Sequence, residues 1–397
     1  MAGEPLADGA VLVEHDRVTA VGPRVDLERA HPTARVRHWP GVMTPGLVNA
    51  HAHLEYGPPF ADLARAGLPF AQWIAQLTGR RQGMSVEDWQ VAARGSAHQL
   101  LQSGTTAVAD IVTSGPAITV AASLGLQGIS YVELAGVDAK GWPDGRARLE
   151  ALLDGGTRRE RGVSPHTLYT LSSGVFREMV ALARERGLRL HPHLAETADE
   201  AEWVLSGTGA FAGFVERFGF EFELAGTGTG VSAVRHCDDL GGLGPDVHVA
   251  HGVHVDADDR RLLRERRTVV VLCTRSNAVL AAGEAPVADY LTDGNPIAVG
   301  TDSLASCPDL DLLAEARAAR DLARRQGFEH PEELLVRALT VGGAQALGQD
   351  LGTLVVGGRA DLAVFDVPTD SPYASLVEHG AGRCVATVLG GRIVHRR

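Results

Sequence analysis

The 397-residue chain carries 37 Lys and Arg against 49 Asp and Glu, a formal charge of -12, and 45% of its residues are apolar. A large buried core is therefore available, and the lack of any Lys/Arg cluster interleaved with aromatics argues against nucleic acid as the main partner, because phosphate neutralisation needs concentrated positive charge. No apolar run reaches the roughly 20 residues of a membrane span, and the opening MAGEPLADGA has no basic start followed by an apolar stretch, so a soluble cytoplasmic protein is expected.

At about 150 residues per domain, the length suits a barrel with a smaller unit attached, or two to three ordinary domains. Near the start, AVLVEHDRVTAVGP reads as short strands broken by turn residues. From about residue 45 to 345, apolar and β-branched runs alternate with helical stretches. GLVNAHAH, TTAVADIV, LQGISYVEL, HTLYTLS, LRLHPHLA, VHVAHGV, TVVVLC and PIAVGTD are the strand candidates in chain order. Eight strands with helices between them predict an α/β fold, a (β/α)8 TIM-like barrel, with its chemistry at the carboxyl ends of the strands. Residues 206–230, rich in Gly and Phe, read as a loop or lid over a strand end, or as a packed surface loop. TLVVGGRADLAVFD and CVATVLGGRIVHRR close the chain with further short strands and Gly-rich turns. Neither end holds enough apolar residues for a core of its own. Residues 1–45 and 350–397 are therefore expected to form one composite β-sandwich domain beside a barrel spanning 46–349. Cys237, Cys273, Cys307 and Cys384 form no CxxC pair and read as buried reduced thiols.

Polar residues gather at the strand ends. His51 and His53 lie two apart at the end of GLVNAHAH, so both side chains face one side and can point into a barrel mouth. His191 and His193 repeat that spacing in LRLHPHLA, and Glu196 follows at the turn into ADEAEWVL, either as a proton carrier or as an acid favoured at a helix N-terminus. VHVAHGVHV offers His248, His251 and His254, of which one is expected to enter the mouth. Asp302 ends NPIAVGTD, where an unpaired buried carboxylate would cost several kcal/mol unless a cation or hydrogen bonds compensate it. Together these four strand ends predict one divalent transition metal. Three imidazoles and a carboxylate suit zinc with a position left for water, and iron(II) or manganese(II) is also compatible.

PGLVNAHAHLE, HPHLAET, AHGVHV, CTRSN and VGTDSLAS together resemble the amidohydrolase superfamily, in its cytosine deaminase, chlorohydrolase and nucleoside deaminase branch. The resemblance covers nearly the whole chain and implies a mononuclear metal on His51, His53, His193 and Asp302. It implies Glu196 as proton shuttle, with His251 and Asp302 accepting or orienting the proton of the attacking water. The predicted reaction is attack on an sp2 ring carbon bearing an amine, with ammonia leaving. Binuclear members use a lysine or further carboxylate from the fourth strand, and SPHTLYTLSSG has neither.

Substrate contacts are expected from the loops. Glu55, Phe70 and Trp73 are expected to wall a pocket for a flat ring, or Phe70 and Trp73, at helical spacing, belong to the core; Glu133 binds a ribose hydroxyl or ring nitrogen, or is a salt-bridged structural acid. His166 resembles the substrate-contacting histidine of nucleoside-acting relatives, although the residues after it differ from theirs. In CTRSN, where relatives have CPxSN, Arg275 and Asn277 are candidate substrate contacts. Arg275 either holds an acidic substrate group or pairs with a local acid. HAHLE, LPFAQWI and the arginine before SN are most similar to deaminases of 6-aminodeoxyfutalosine, a carboxylated adenine nucleoside of menaquinone biosynthesis. Other readings are hydrolysis of another N-heterocycle, by triazine dechlorination or deamination or imidazolonepropionase-like ring opening, and a non-catalytic scaffold. The resemblance also implies that a homodimer can form.

Overall fold

The computed structural model describes residues 4–65 and 67–397. Strands β1 (Gly9–Glu14) and β2 (Arg17–Pro23) form an antiparallel hairpin, and β3 (Val42–Pro45) leads directly into the barrel. The barrel strands are β4 (Leu47–Ala52), β5 (Thr105–Val112), β6 (Ile129–Leu134), β7 (Glu160–Pro165), β8 (His193–Leu194), β9 (His248–His251), β10 (Val269–Leu272) and β11 (Ile297–Val299). After them come β12 (Leu362–Phe365), β13 (Cys384–Leu389) and β14 (Arg392–Arg396).

Strands β4 to β7 pair in parallel as one arc, and β8 to β11 as a second. His191 N donates to the Val163 carbonyl at 3.0 Å and His193 N to that of His166 at 2.9 Å, joining the arcs along one seam. Along the other, Asp302 N donates to the His51 carbonyl at 3.0 Å and Asn49 Nδ2 to Thr301 Oγ1 at 2.8 Å. The result is an α/β TIM-like barrel. All eight residues of β5, TTAVADIV, are buried, as a parallel strand covered on both faces requires.

Two strand assignments shift. HTLYTLS is not the fourth strand: β7 ends at Pro165, so His166 begins the loop beyond it and Tyr169 lies in a turn. The TLVV part of TLVVGGRADLAVFD is also irregular, and only Leu362–Phe365 is extended. The 206–230 stretch holds the helix Ala210–Phe218, with Phe211, Val215, Phe222 and Leu224 buried in the main core. Thr229 N and Gly230 N donate to the Val204 and Leu205 carbonyls, pinning the excursion to the preceding helix. A Cβ at Gly228 would lie 2.4 Å from the Leu205 carbonyl oxygen, so only glycine permits that contact.

The chain ends meet. Strand β3 pairs antiparallel with β12, giving the sheet order β14-β13-β12-β3, while Val18 N donates to the Gly358 carbonyl and Gly357 N to that of Val18. Alternation along β12 explains its placement. Ala363 and Phe365 join Leu47, Val299 and Leu376 in a buried cluster, whereas Leu362 and Val364 cluster with Ala386 and Val388 on the other face. Burial of each large apolar side chain contributes on the order of 1.5–3 kcal/mol relative to exposure. No helix among the described residues is long and apolar enough to cross a membrane.

Candidate metal centre and active site

The carboxyl ends of the barrel strands bring together His51 from β4, His53 just past it, Glu133 from β6, and His166 just past β7. His193 from β8, Glu196 beyond it, His251 from β9 and Asp302 beyond β11 complete the set. His53 Nε2 lies 3.3 Å from His193 Nε2, and Asp302 Oδ1 lies 3.8 Å from His51 Nε2 and 3.7 Å from His53 Nε2. Ligand atoms about 2.1 Å from a shared tetrahedral ion stand about 3.4 Å apart, so these spacings match a common centre.

Hydrogen bonding settles which imidazole nitrogens are free. His191 Nδ1 is 2.9 Å from the His248 carbonyl, which can only accept, so Nδ1 carries the proton. The bare His191 Nε2 then accepts from His51 Nδ1 at 2.8 Å, leaving His51 Nε2 as a buried lone pair without a partner among the described residues. His193 Nδ1 donates to the His166 carbonyl at 3.4 Å, which frees its Nε2 in the same way. Burial holds the His51 and His193 rings neutral by lowering their pKa values well below the ordinary range. It takes His53 down to about 4 against the pull of Asp302 in the other direction, and brings His191 to about 3. Neutral imidazole is the metal-binding form, so three nitrogens and the Asp302 carboxylate fit a divalent ion.

Several residues fix these groups in place. Leu54 N donates to Asp110 Oδ1 at 3.0 Å, anchoring the turn after His53. Ser276 Oγ donates to Asp302 Oδ2 at 2.7 Å, and His251 Nδ1 donates to Asn277 Oδ1 at 2.9 Å, pointing His251 Nε2 towards Glu196 Oε1 at 3.6 Å. The Glu200 carboxylate accepts from Ala195 N at 3.0 Å and Glu196 N at 2.7 Å, holding the turn that presents Glu196. Ala195, His251 and Asp302 all have positive φ, at 53°, 76° and 59°. Such conformations cost on the order of 1–3 kcal/mol each, and their clustering around one mouth marks a strained functional site. At Gly300, a Cβ would meet the His51 backbone at 2.8–2.9 Å, so glycine is needed for β11 to approach the first ligand strand.

Burial raises the proton affinity of the acids here. Glu196 is pushed up, opposed in part by His251, while Glu133 reaches about 8 and Glu200 about 7. Glu133 Oε1 lies 3.7 Å from His193 Nδ1 and 3.9 Å from His166 Nε2, and His166 is itself lowered to about 3 by burial. Both therefore stand beside the ligand cluster.

Other expected substrate contacts are placed differently. Glu55 is fully buried, and its oxygens accept from Thr113 N, Thr113 Oγ1 and Ser114 Oγ, so it ties down the loop after β5 rather than walling a pocket. Arg275 is not available to a substrate. Its Nε bonds Glu315 at 2.7 Å, its Nη1 Asp309 at 2.9 Å, and its Nη2 the Asp309 and Asp311 carbonyls, along an outer groove that also contains Arg317 and Asp321. Asn277 Oδ1 accepts from His251 Nδ1, and its buried Nδ2 has no partner among the described residues. Trp73 Nε1 donates to the Ala305 carbonyl at 2.9 Å, bracing the loop beyond Asp302, with its half-buried ring stacked on Phe70.

His191 supports His51 rather than joining the ligand set, and Ser276 and Glu200 hold Asp302 and the Glu196 turn. The His-x-His spacing at 191 and 193 was the only sequence signal for any of them. His191→Phe removes the acceptor that fixes the His51 tautomer, so metal affinity is expected to fall about 10–100-fold. Competition with a chromophoric chelator measures this, and unchanged affinity would remove His191 from that role.

A profile of the amidohydrolase family matches residues 42–394, and one of a bacterial imidazolonepropionase-like composite domain matches residues 9–34. The chain is 32% identical over 378 residues to a 5-methylthioadenosine/S-adenosylhomocysteine deaminase of Natronomonas pharaonis, covering 89% of this chain and 81% of the relative. Helicobacter pylori aminofutalosine deaminase, solved with methylthio-coformycin, shares the fold at a TM-score of 0.84 and 20% identity, covering 98% and 95% of the two chains. A zinc-bound adenosine deaminase of Xanthomonas campestris does so at 0.77 and 24%, covering 98% and 89%.

Proposed function

Because the chain belongs to the amidohydrolase family, we propose that it is a hydrolytic deaminase of an adenosine-like nucleoside, with 6-aminodeoxyfutalosine as its substrate and one zinc ion as its metal. The observation that carries this reading is the convergence of three neutral imidazoles and Asp302 beside the buried Glu196–His251 pair. The relative's printed substrates and the aminofutalosine deaminase fold support the nucleoside class.

His51, His53, His193 and Asp302 would hold the ion. When bound, it would acidify water and stabilise negative charge on the oxygen that adds to the ring carbon. His251 Nε2, aimed by Asn277, orients the attacking water, and Asp302, steadied through Oδ2 by Ser276, takes its proton. Glu196 gives a proton to the ring nitrogen beside the attacked carbon, the proton taken by Asp302 passes to the amine, which leaves as ammonia, and the added hydroxyl returns its proton to Glu196 as it becomes the oxo group. The raised proton affinity of Glu196 favours the protonated form that its first step needs. Glu133 and His166, next to His193, contact the ring or ribose.

A screen of 6-aminopurine nucleosides, including 5′-modified and carboxylated compounds, tests the reading. Ammonia release and the ultraviolet change to the 6-oxo product are expected. Silence across the panel, with metal bound, would reject nucleoside deamination.

A further inference from the structure

Arg81, the last residue of the helix Phe70–Arg81, is half-buried over the ends of β4 and β5. Its Cζ lies 5.5 Å from the Tyr56 ring centre, and Tyr56 stacks on His53 at 5.3 Å with an interplanar angle of 20°. The guanidinium thus stands two ring contacts from a metal ligand.

Its bonding is unusually sparse. Nη2 donates to Thr113 Oγ1 at 2.9 Å, and the guanidinium forms no ion pair with a carboxylate among the described residues. The neighbouring acids are Glu55 and Glu133, and the Glu55 oxygens already accept from Thr113 and Ser114. Other sheltered arginines are better compensated. Arg275 pairs with Glu315 and Asp309, Arg320 with Asp321 and Glu378, and Arg260 with Asp289 and Asp293, while Arg159 bonds three carbonyls. A partly desolvated guanidinium with spare donors favours a planar anion, which its fork can bind in bidentate fashion.

We infer that Arg81 determines specificity by binding a carboxylate on the part of the nucleoside remote from the reacting amine. This rests on the nucleoside-deaminase reading and gives Arg81 the anion-binding role that Arg275 is too fully paired to take. A carboxylate there comes from an amino-acid group or an aromatic acid, and both belong in the test.

The experiment compares wild type, Arg81→Gln and Arg81→Lys on two ligand pairs: S-adenosylhomocysteine against 5′-methylthioadenosine, and 6-aminodeoxyfutalosine against its carboxamide. Dissociation constants come from calorimetry and kcat/KM from ammonia release. Wild type is expected to prefer the acid in at least one pair, and the responding pair identifies the source of the carboxylate. Arg81→Gln should cut that preference about 10–100-fold, mainly through KM, and Arg81→Lys should restore part of it. No acid preference in wild type, or an equal loss on acid and neutral members in both variants, would overturn the inference. If Arg81→Gln does not fold, the Arg81→Lys ratio decides, and a wild-type acid preference left intact by lysine counts against a bidentate arginine contact. Absence of ammonia with a retained, Arg81-dependent preference in the dissociation constants would reject the deaminase reading and leave the Arg81 assignment standing.

Discussion

Glu196→Gln is expected to lower turnover by at least about 100-fold while metal content stays near that of the wild type. The amide keeps the size of the side chain but cannot shuttle a proton. Glu196 Oε1 faces His251 Nε2 at 3.6 Å and is absent from the ligand groupings around His51, so its loss should not release the ion. The carboxyl is also buried, with its pKa raised by desolvation, so exchange for a neutral amide removes a group that is costly to ionise. Thermal stability near neutral pH should hold or rise as activity falls. Metal analysis, ammonia release and a melting curve read these three effects, and unchanged turnover would defeat the assignment.

Metal removal should have a comparably large effect. Dialysis against a chelator is expected to abolish measurable turnover, and one equivalent of zinc per chain should restore it. Without the ion, the unpartnered His51 Nε2 and the crowded His53 and His193 nitrogens lose the centre that reconciles them. Binding to the folded state alone contributes about 2.7 kcal/mol at a free-ion concentration 100 times Kd, so the melting temperature should fall on stripping and recover on reloading. Turnover that persists after metal analysis shows the ion gone would refute a metal-dependent reaction.

Much of the metal-binding face was legible because strand geometry is local. A two-residue repeat places His51 with His53 whatever surrounds them, and an apolar run ending in Asp302 marks a strand end carrying an acid that packing alone does not explain. The barrel followed from eight such runs separated by helical stretches, although the HTLYTLS run proved to lie past the fourth strand. There β-branched and aromatic residues pack in a turn, with Tyr169 stacked on Phe211 from the later helix Ala210–Phe218.

The substrate-facing side was harder to read because its roles depend on partners distant in sequence. Glu55 and Arg275 are both polar loop residues near strand ends. Thr113 and Ser114 occupy the first, and Glu315 and Asp309 neutralise the second. Asn277 belongs to His251 and Ser276 to Asp302 for the same reason, through contacts across 26 residues that no spacing rule predicts. The amino-acid sequence by itself determined the strand count, the alternation that aims histidines into one mouth and the donor types suited to a divalent ion, since these depend on short-range periodicity and side-chain chemistry. Tertiary structure alone decided which polar groups are already paired, which nitrogens are left bare and that Arg81 has spare donors, because hydrogen-bond satisfaction is a property of neighbours in space.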